Sequence, residues 1–96
     1  MPVILVHEGV TKEQYEAVVR KLTGGTKSRM ESASDWPVEG LLVHAAGESP
    51  TGFRVVDVWA SEDAVRAFGE KLEPILSEEG VDSPPQVYPA HAYVSP

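Results

Sequence analysis

Two apolar strands around a short polar loop, followed at once by an amphipathic helix, constrain this chain more than any other feature. Residues 40 to 68 read GLLVHAAGESPTGFRVVDVWASEDAVRAF. We predict strands over 38–48 and 53–60, joined by four or more loop residues, because apolar runs flank a segment rich in turn-forming residues. Ser61 is a typical N-cap for the helix. Val65, Phe68 and Leu72 then follow at helical spacing and predict its buried face.

The remaining elements complete a β-α-β-β-α-β order. A first strand is predicted over 3–8 and a first helix from Thr11, because Thr11 and Gln14 have the spacing of a capping box. The second helix should end at Gly80, and a last strand is predicted over 86–94. Right-handed crossovers fold this order into an α+β, ferredoxin-like domain. We expect one domain over 1–96, with a four-stranded antiparallel sheet in the order 4-1-3-2 and both helices on one face.

The other face of that sheet would have no cover. Yet the predicted strands carry apolar side chains on both faces, for example Val56 and Val58 on one face and Val55 on the other. An exposed apolar face of this size favours association with another subunit. We therefore predict a homodimer that forms through the sheet face.

Composition excludes several classes of function. Fifteen acidic against eight basic residues give a net charge of −7, which disfavours binding to nucleic acid. The chain has no cysteine, so disulfides and thiolate metal sites are unavailable. The opening apolar run over 3–6 is far too short to cross a membrane. These features predict a cytoplasmic protein without membrane contact.

Three residues within otherwise apolar strands are the main candidates for a functional site. A hairpin loop centred on Ser49 and Pro50 would place His44 opposite Val55, on the same face as Leu42, Asp57 and Trp59. His44 and Asp57 would then be diagonal neighbours, with side chains in reach of each other.

Each candidate also has a purely structural interpretation. His44 is either a general base or hydrogen-bond donor, since imidazole exchanges protons near neutral pH, or a core histidine satisfied by its neighbours. Asp57 either orients His44 or forms a structural salt bridge with Arg54, Arg66 or another subunit. Trp59 fits the core or a pocket wall that stacks on an aromatic ligand.

Two motifs resemble those of a known superfamily. They are Trp36-Pro37-x-x-Gly40-Leu41-Leu42-x-His44 and Val56-Asp57-Val58-Trp59-x-Ser61-x-x-Ala64, followed by Phe68. The chain resembles the dimeric α+β-barrel superfamily over nearly its whole length, in particular the small stand-alone proteins grouped with antibiotic-biosynthesis monooxygenases.

That resemblance implies a pocket between sheet and helices and a cofactor-free enzyme, of monooxygenase or isomerase/cyclase type, acting on an aromatic or polyketide-like molecule. His44 and Asp57 are the predicted catalytic residues. The predicted substrate-binding residues are Trp59, Tyr15, His7 and Phe68. The alternative is a non-catalytic dimeric protein that binds a small apolar ligand.

A haem or metal role is disfavoured. The haem-degrading branch of the superfamily has an axial histidine on the second helix, and residues 61–79 contain none. His7, His44 and His91 lack the close spacing typical of metal ligands. We therefore predict neither a metal nor a cofactor.

Overall fold

A computed structural model describes residues 1–95 and has the predicted element order. The strands are β1 (Val3–Val10), β2 (Leu41–Ser49), β3 (Gly52–Trp59) and β4 (Gln86–Pro89). The helices are α1 (Lys12–Leu22) and α2 (Glu62–Glu78), and Ala33–Asp35 forms a 3₁₀ turn. The strands form one antiparallel sheet in the order β2-β3-β1-β4, which is the predicted order read from the other edge. The predicted α+β, ferredoxin-like fold is thus confirmed.

Both helices begin at the predicted caps. In α1 the Thr11 hydroxyl accepts from the Gln14 backbone N–H, and the Gln14 side chain accepts from the Thr11 N–H, each at 3.0 Å. In α2 the Ser61 hydroxyl accepts from the Ala64 N–H at 3.1 Å. Each cap satisfies backbone donors that the first helical turn leaves without an internal partner.

The core lies between the helices and one face of the sheet. Trp59 is completely buried at its centre and stacks on Phe68 of α2, with ring centroids 4.9 Å apart. The surrounding cluster combines side chains of both helices and the sheet, among them Leu5, Val18, Leu72 and Leu76. Apolar burial on this side fixes which face of each strand turns inward.

The hairpin between β2 and β3 is tighter than predicted. Ser49 lies opposite Gly52, so only Pro50 and Thr51 form the turn, instead of four or more residues. The register therefore moves by two residues, and His44 lies directly opposite Asp57 rather than opposite Val55. Because a shift by two residues leaves each side chain on the same face of the sheet, His44 and Asp57 are still close neighbours on the inward face, as predicted.

An irregularity in β2 changes a second expectation. The pairing with β3 shifts between Leu41 and Val43, which lie opposite Trp59 and Val58. Leu41 packs against the core, whereas Leu42 is 42% exposed. The prediction that Leu42 shares the inward face with His44 is therefore wrong, because the extra residue reverses the alternation.

The last strand is shorter than predicted. β4 ends at Pro89 instead of Val94. It pairs only with β1 and forms one edge of the sheet, as a strand containing proline should.

The sheet face away from the helices is apolar and open. One row crosses all four strands in register: Val43 of β2, Val58 of β3, Ile4 of β1 and Tyr88 of β4. Val43 and Tyr88 are 43% and 44% exposed. In the part of the chain that the structure describes, no helix is long and apolar enough to cross a membrane.

Candidate functional site

His44 and Asp57 form a buried pair on the inward face of the sheet. The His44 Nδ1 atom lies 2.7 Å from Asp57 Oδ1. The other carboxylate oxygen, Oδ2, accepts from the indole N–H of Trp59 at 3.3 Å. Asp57 is only 2% exposed, so these two donors replace the water that its carboxylate loses on folding. The carboxylate accepts at Oδ1, which places a proton on Nδ1 of His44.

Asp57 forms neither of the salt bridges within the chain, to Arg54 or to Arg66, that were considered from the sequence. Arg54 pairs with Glu8 at 2.8 Å, and Arg66 pairs with Asp63 at 3.1 Å. Among residues 1–95, the ionisable side chain that pairs with Asp57 is therefore His44.

The second ring nitrogen of His44 contacts Tyr15 of α1. The Tyr15 Oη atom lies 2.9 Å from His44 Nε2, and the two rings are nearly parallel. Burial raises the pKa of the Tyr15 phenol, the backbone N–H of Met30 partly opposes this, and the charge of Asp57 adds to it. Tyr15 is therefore a neutral donor at ordinary pH, and its hydroxyl donates to the unprotonated Nε2. The result is a continuous chain from Tyr15 through His44 to Asp57.

Trp36 covers the imidazole from a third side. Its ring lies edge-on to His44, with centroids 4.7 Å apart. Trp36 is 8% exposed and belongs to the core, so it anchors the long connection between α1 and β2.

Asp35 organises that connection just before Trp36. Its carboxylate accepts from the backbone N–H groups of Glu31 and Ser32 at 2.8 and 3.0 Å and pairs with Lys27 at 2.9 Å. The Lys27 ammonium and these two N–H groups lower the pKa of Asp35 to about 2. The charged carboxylate therefore holds the segment that brings Trp36 to His44.

A cavity of about 60 Å³ lies between the helices and the sheet. Its wall contains five of the six predicted site residues: His7, Tyr15, His44, Asp57 and Phe68. Trp59, the sixth, lies behind them and reaches the site through its bond to Asp57. The geometry thus brings all six together, while their chemical roles stay predictions.

His7 occupies the β1 side of the same cavity. Its Nε2 atom donates to the backbone oxygen of Ser83 at 2.8 Å. A carbonyl only accepts, so the proton of a neutral His7 resides on Nε2 and the Nδ1 lone pair is left as an acceptor. Ser83 in turn donates from its hydroxyl to the backbone oxygen of Glu8 at 2.9 Å.

A larger depression lies on the outer side of His44. This outer groove, of about 520 Å³, runs between the start of α1, the connection and the hairpin, and its wall includes Lys12, Tyr15, Arg29, Met30, His44 and Phe53. Tyr15, Met30 and His44 also line the inner cavity, so they separate the two spaces.

Sequence reasoning missed Met30 and the contact between Trp36 and His44. Met30 and Trp36 lie in the connection between α1 and β2, whose sequence has no helical or strand periodicity, so no pattern indicated which of its side chains would turn inward. The one usable signal was the presence of large apolar residues within a polar segment.

Residues 1–95 contain no group of three His, Asp or Glu side chains arranged to hold a metal ion. His91, one of the three histidines considered for such a site, is exposed on the segment after β4.

Comparison with solved structures gives a match over nearly the full chain. It is a monooxygenase from the gene ActVA-Orf6 of Streptomyces coelicolor, solved in complex with nanaomycin D. The match covers 99% of this chain and 91% of that one, with a TM-score of 0.50 and 23% identity. The protein has the fold of this monooxygenase. The fold that the motifs around His44 and Trp59 imply is thereby confirmed.

No protein-family model matches the chain, and comparison with curated proteins found no match. The roles of His44, Asp57 and their neighbours therefore depend on the geometry of the chain itself.

Proposed function

We propose that the protein is a small cofactor-independent enzyme that removes a proton from the hydroxyl group of an aromatic or polyketide-like molecule. The observation that carries this proposal is the position of His44. Its two ring nitrogens lie 2.7 Å from Asp57 and 2.9 Å from Tyr15, at the boundary between the cavity and the outer groove. A base that is oriented on one side and reaches a proton donor on the other is arranged for proton transfer.

The proton route follows from the donors and acceptors. A substrate hydroxyl that approaches Tyr15 gives its proton to the phenol oxygen, while Tyr15 passes its own proton to Nε2 of His44. Tyr15 ends neutral and His44 becomes an imidazolium, which the Asp57 carboxylate stabilises. The indole N–H of Trp59 keeps that carboxylate in position.

In the monooxygenase form of the proposal the second reactant is dioxygen. The substrate phenolate gives one electron to dioxygen, and the two radicals combine through a new C–O bond. The peroxide takes up the proton from His44. Loss of the ring C–H proton and cleavage of the O–O bond then leave a quinone carbonyl and one water. In total, a phenol and dioxygen give a quinone and water, with the substrate supplying four electrons.

The isomerase or cyclase form uses the same first step. The substrate anion takes the proton back at carbon, or closes a ring, and consumes no oxygen. The structural match to a monooxygenase, solved in complex with nanaomycin D, supports the oxygenating form.

The substrate ring fits the outer groove better than the inner cavity. An engineered cavity that admits benzene has about 150 Å³, against about 60 Å³ here. The outer groove, at about 520 Å³, is within the usual range for small-molecule sites. The ring would therefore lie outside Tyr15, with its hydroxyl directed at the Tyr15–His44 pair.

We further propose a cytoplasmic homodimer. The row of Val43, Val58, Ile4 and Tyr88 offers a flat apolar surface on the sheet face that the helices leave open. A second copy would bury the same row through a two-fold interface.

A non-catalytic ligand-binding protein is the second candidate. It is favoured by the small volume of the inner cavity and by the satisfaction of both His44 nitrogens within the chain. Such a protein would bind the aromatic molecule and release it unchanged.

Oxygen consumption and product analysis with a panel of hydroxynaphthalenes and their hydroquinones test the proposal. The His44→Gln variant removes the base and keeps a polar side chain, and His91→Gln makes the same change at an exposed position. We expect turnover by the unmodified protein and by the His91→Gln variant, and its loss in the His44→Gln variant. Binding without turnover in all three would establish the second candidate, and equal turnover in all three would remove His44 from the mechanism.

A further inference from the structure

The charged side chains of the outer groove differ from those of the chain as a whole. Acids outnumber bases fifteen to eight over the sequence. The charged residues that line the groove are instead two cations, Lys12 and Arg29, and one acid, Glu16. The groove is therefore a locally cationic surface on an acidic protein.

Neither cation is committed to a strong internal ion pair. Within residues 1–95, Lys12 has no carboxylate within salt-bridge distance. Arg29 makes one long contact, 3.7 Å from its Nε to Glu31, and its side chain is 80% exposed. Both remain available to an anion, at a lower desolvation cost than buried charges would have.

The two cations lie next to the residues that separate the outer groove from the inner cavity. Lys12 lies one helical turn before Tyr15 on α1, so the two side chains are neighbours on one face. Arg29 directly precedes Met30, which helps to separate the groove from the inner cavity. An aromatic ring resting on Met30 and Phe53 would thus have its hydroxyl near Tyr15, with a second polar group of the molecule within reach of the two cations.

From this arrangement we infer that the outer groove binds aromatic molecules that carry a carboxylate as well as a hydroxyl. The inference rests on the proposed function for the position of the hydroxyl and adds the acidic group as the feature that selects the substrate. Like-charged repulsion across the rest of the surface would direct such an anion to the groove.

The test compares a hydroxynaphthoic acid, with its two groups on opposite rings, and the methyl ester of the same acid. The ester keeps the ring and the hydroxyl and lacks the charge. Dissociation constants come from calorimetry or tryptophan fluorescence at low ionic strength, so the measurement does not depend on turnover. We expect the unmodified protein to bind the acid about tenfold more tightly than the ester, since two exposed ion pairs contribute a few-fold each. High salt should reduce this preference by screening.

Three variants separate the groove from the general surface. Lys12→Gln and Arg29→Gln should each weaken binding of the acid about threefold, with little effect on the ester. The double variant should bind the acid and the ester about equally. Lys71→Gln removes one charge from an exposed position on α2, outside the groove, and should leave both constants unchanged.

The outcomes distinguish this inference from the proposed function. Equal binding of acid and ester by the unmodified protein, or binding of neither, overturns the inference even if a hydroxynaphthalene is oxidised. If the Lys71→Gln variant loses as much affinity for the acid as the Lys12→Gln and Arg29→Gln variants do, the inference is overturned as well, because the effect would then result from the net charge of the protein. A preference for the acid that depends on Lys12 and Arg29 supports it, even if the bound acid is never converted.

Discussion

His44 and Asp57 are direct cross-strand partners, and the bond between them spans the two strands of a hairpin with a two-residue turn. The register of β2 against β3 therefore sets the geometry of the site. A shift by one residue would turn one side chain of the pair to the other face of the sheet. The site is thus encoded in the hairpin, and the carboxylate that it buries needs His44 and Trp59 as partners.

The first prediction concerns the charge of that carboxylate. Asp57→Asn keeps the size of the side chain and removes its negative charge, so the imidazolium of His44 loses its counterion. The new amide can also turn its NH₂ group toward Nδ1 and reverse the tautomer of His44. We expect turnover of the substrate to fall by about 100-fold or more, while circular dichroism shows an unchanged fold.

Trp59→Phe is the companion variant. It removes the second donor to Asp57 and part of the fully buried indole volume. Turnover should fall much less than in Asp57→Asn, and the free energy of unfolding should fall by about 2 kcal/mol or more. Equal turnover in the Asp57→Asn variant and the unmodified protein would show that the pair is structural.

The second prediction concerns Tyr15. Its raised pKa means that the unfolded chain ionises this phenol first, at pH values above 10.0, whereas the folded protein keeps it neutral. The free energy of unfolding should therefore be unaffected by Tyr15 below pH 10.0 and should fall as the pH rises above it. Tyr15→Phe should reduce that alkaline loss and should slow turnover by about tenfold or more, because the proton route to His44 is broken.

Tyr93→Phe is the matched control, since it removes a phenol on the segment after β4, outside the cavity, the outer groove and the row on the open sheet face. Chemical denaturation over the alkaline range measures the first effect. If both variants show the same alkaline profile as the unmodified protein, the raised pKa of Tyr15 is contradicted.

The sequence predicted the fold because its signals are local. The capping box at Thr11, the cap at Ser61 and the periodic stripe of α2 each concern residues within a few positions of one another, and the structure has all three helix features. Alternation in the strands placed His44 and Asp57 on one face of the sheet. This prediction remained correct although the predicted register was wrong by two residues, because a shift by an even number of residues leaves each side chain on the same face.

The missing parts of the site depend on contacts between distant segments. Nothing in the sequence near Trp36 indicates that its ring meets His44, and nothing near His7 indicates a bond to Ser83, which lies 76 residues later. The number of turn residues decides which residues of β2 and β3 lie opposite one another, and the irregularity at Leu42 decides that Leu41 packs against the core instead.

The third prediction concerns Asp35 and pH. Its pKa is lowered from 3.8 to about 2 in the folded protein, so its contribution to stability is complete above pH 3.8 and is lost as the pH falls toward 2. Asp35→Asn should lower the free energy of unfolding at neutral pH, and the difference from the unmodified protein should disappear as the pH falls through about 2. Denaturation curves over the acidic range give both quantities.

Asp82→Asn provides the comparison, because Asp82 is exposed and has no hydrogen bond or ion pair among those found in residues 1–95. It should leave the acidic profile unchanged. If the free energy of unfolding of the Asp35→Asn variant depends on pH in the same way as that of the unmodified protein, the role of Asp35 in holding the connection is contradicted.

The fourth prediction concerns the open sheet face. Val43→Glu places a charge in the row that Val43, Val58, Ile4 and Tyr88 form across the sheet. If two copies pack through this row, the buried charge should convert the dimer to a monomer at micromolar concentration. Light scattering coupled to size-exclusion chromatography measures the mass. Ala67→Glu adds the same charge at an exposed position on α2 and should leave a dimer intact; a monomer without any substitution would refute the interface.

The last prediction concerns the contact between Gly40 and Ala64, which belong to the two motifs that indicated the fold. Gly40 has φ of +110°, and a Cβ atom there would lie 2.6 Å from the Cβ of Ala64 at the start of α2. Its backbone oxygen also accepts from the N–H of Ala60 at 2.7 Å, so the strand cannot move away without losing that bond. Gly40→Ala should therefore lower the free energy of unfolding by about 2 kcal/mol or more.

Gly47→Ala, where the φ is not positive and an added Cβ meets nothing within 4 Å, should change it by less than about 0.5 kcal/mol. Because β2 begins at this contact and carries His44, the Gly40→Ala variant should also lose turnover, and equal stability of the two alanine variants would show that the close approach is unimportant.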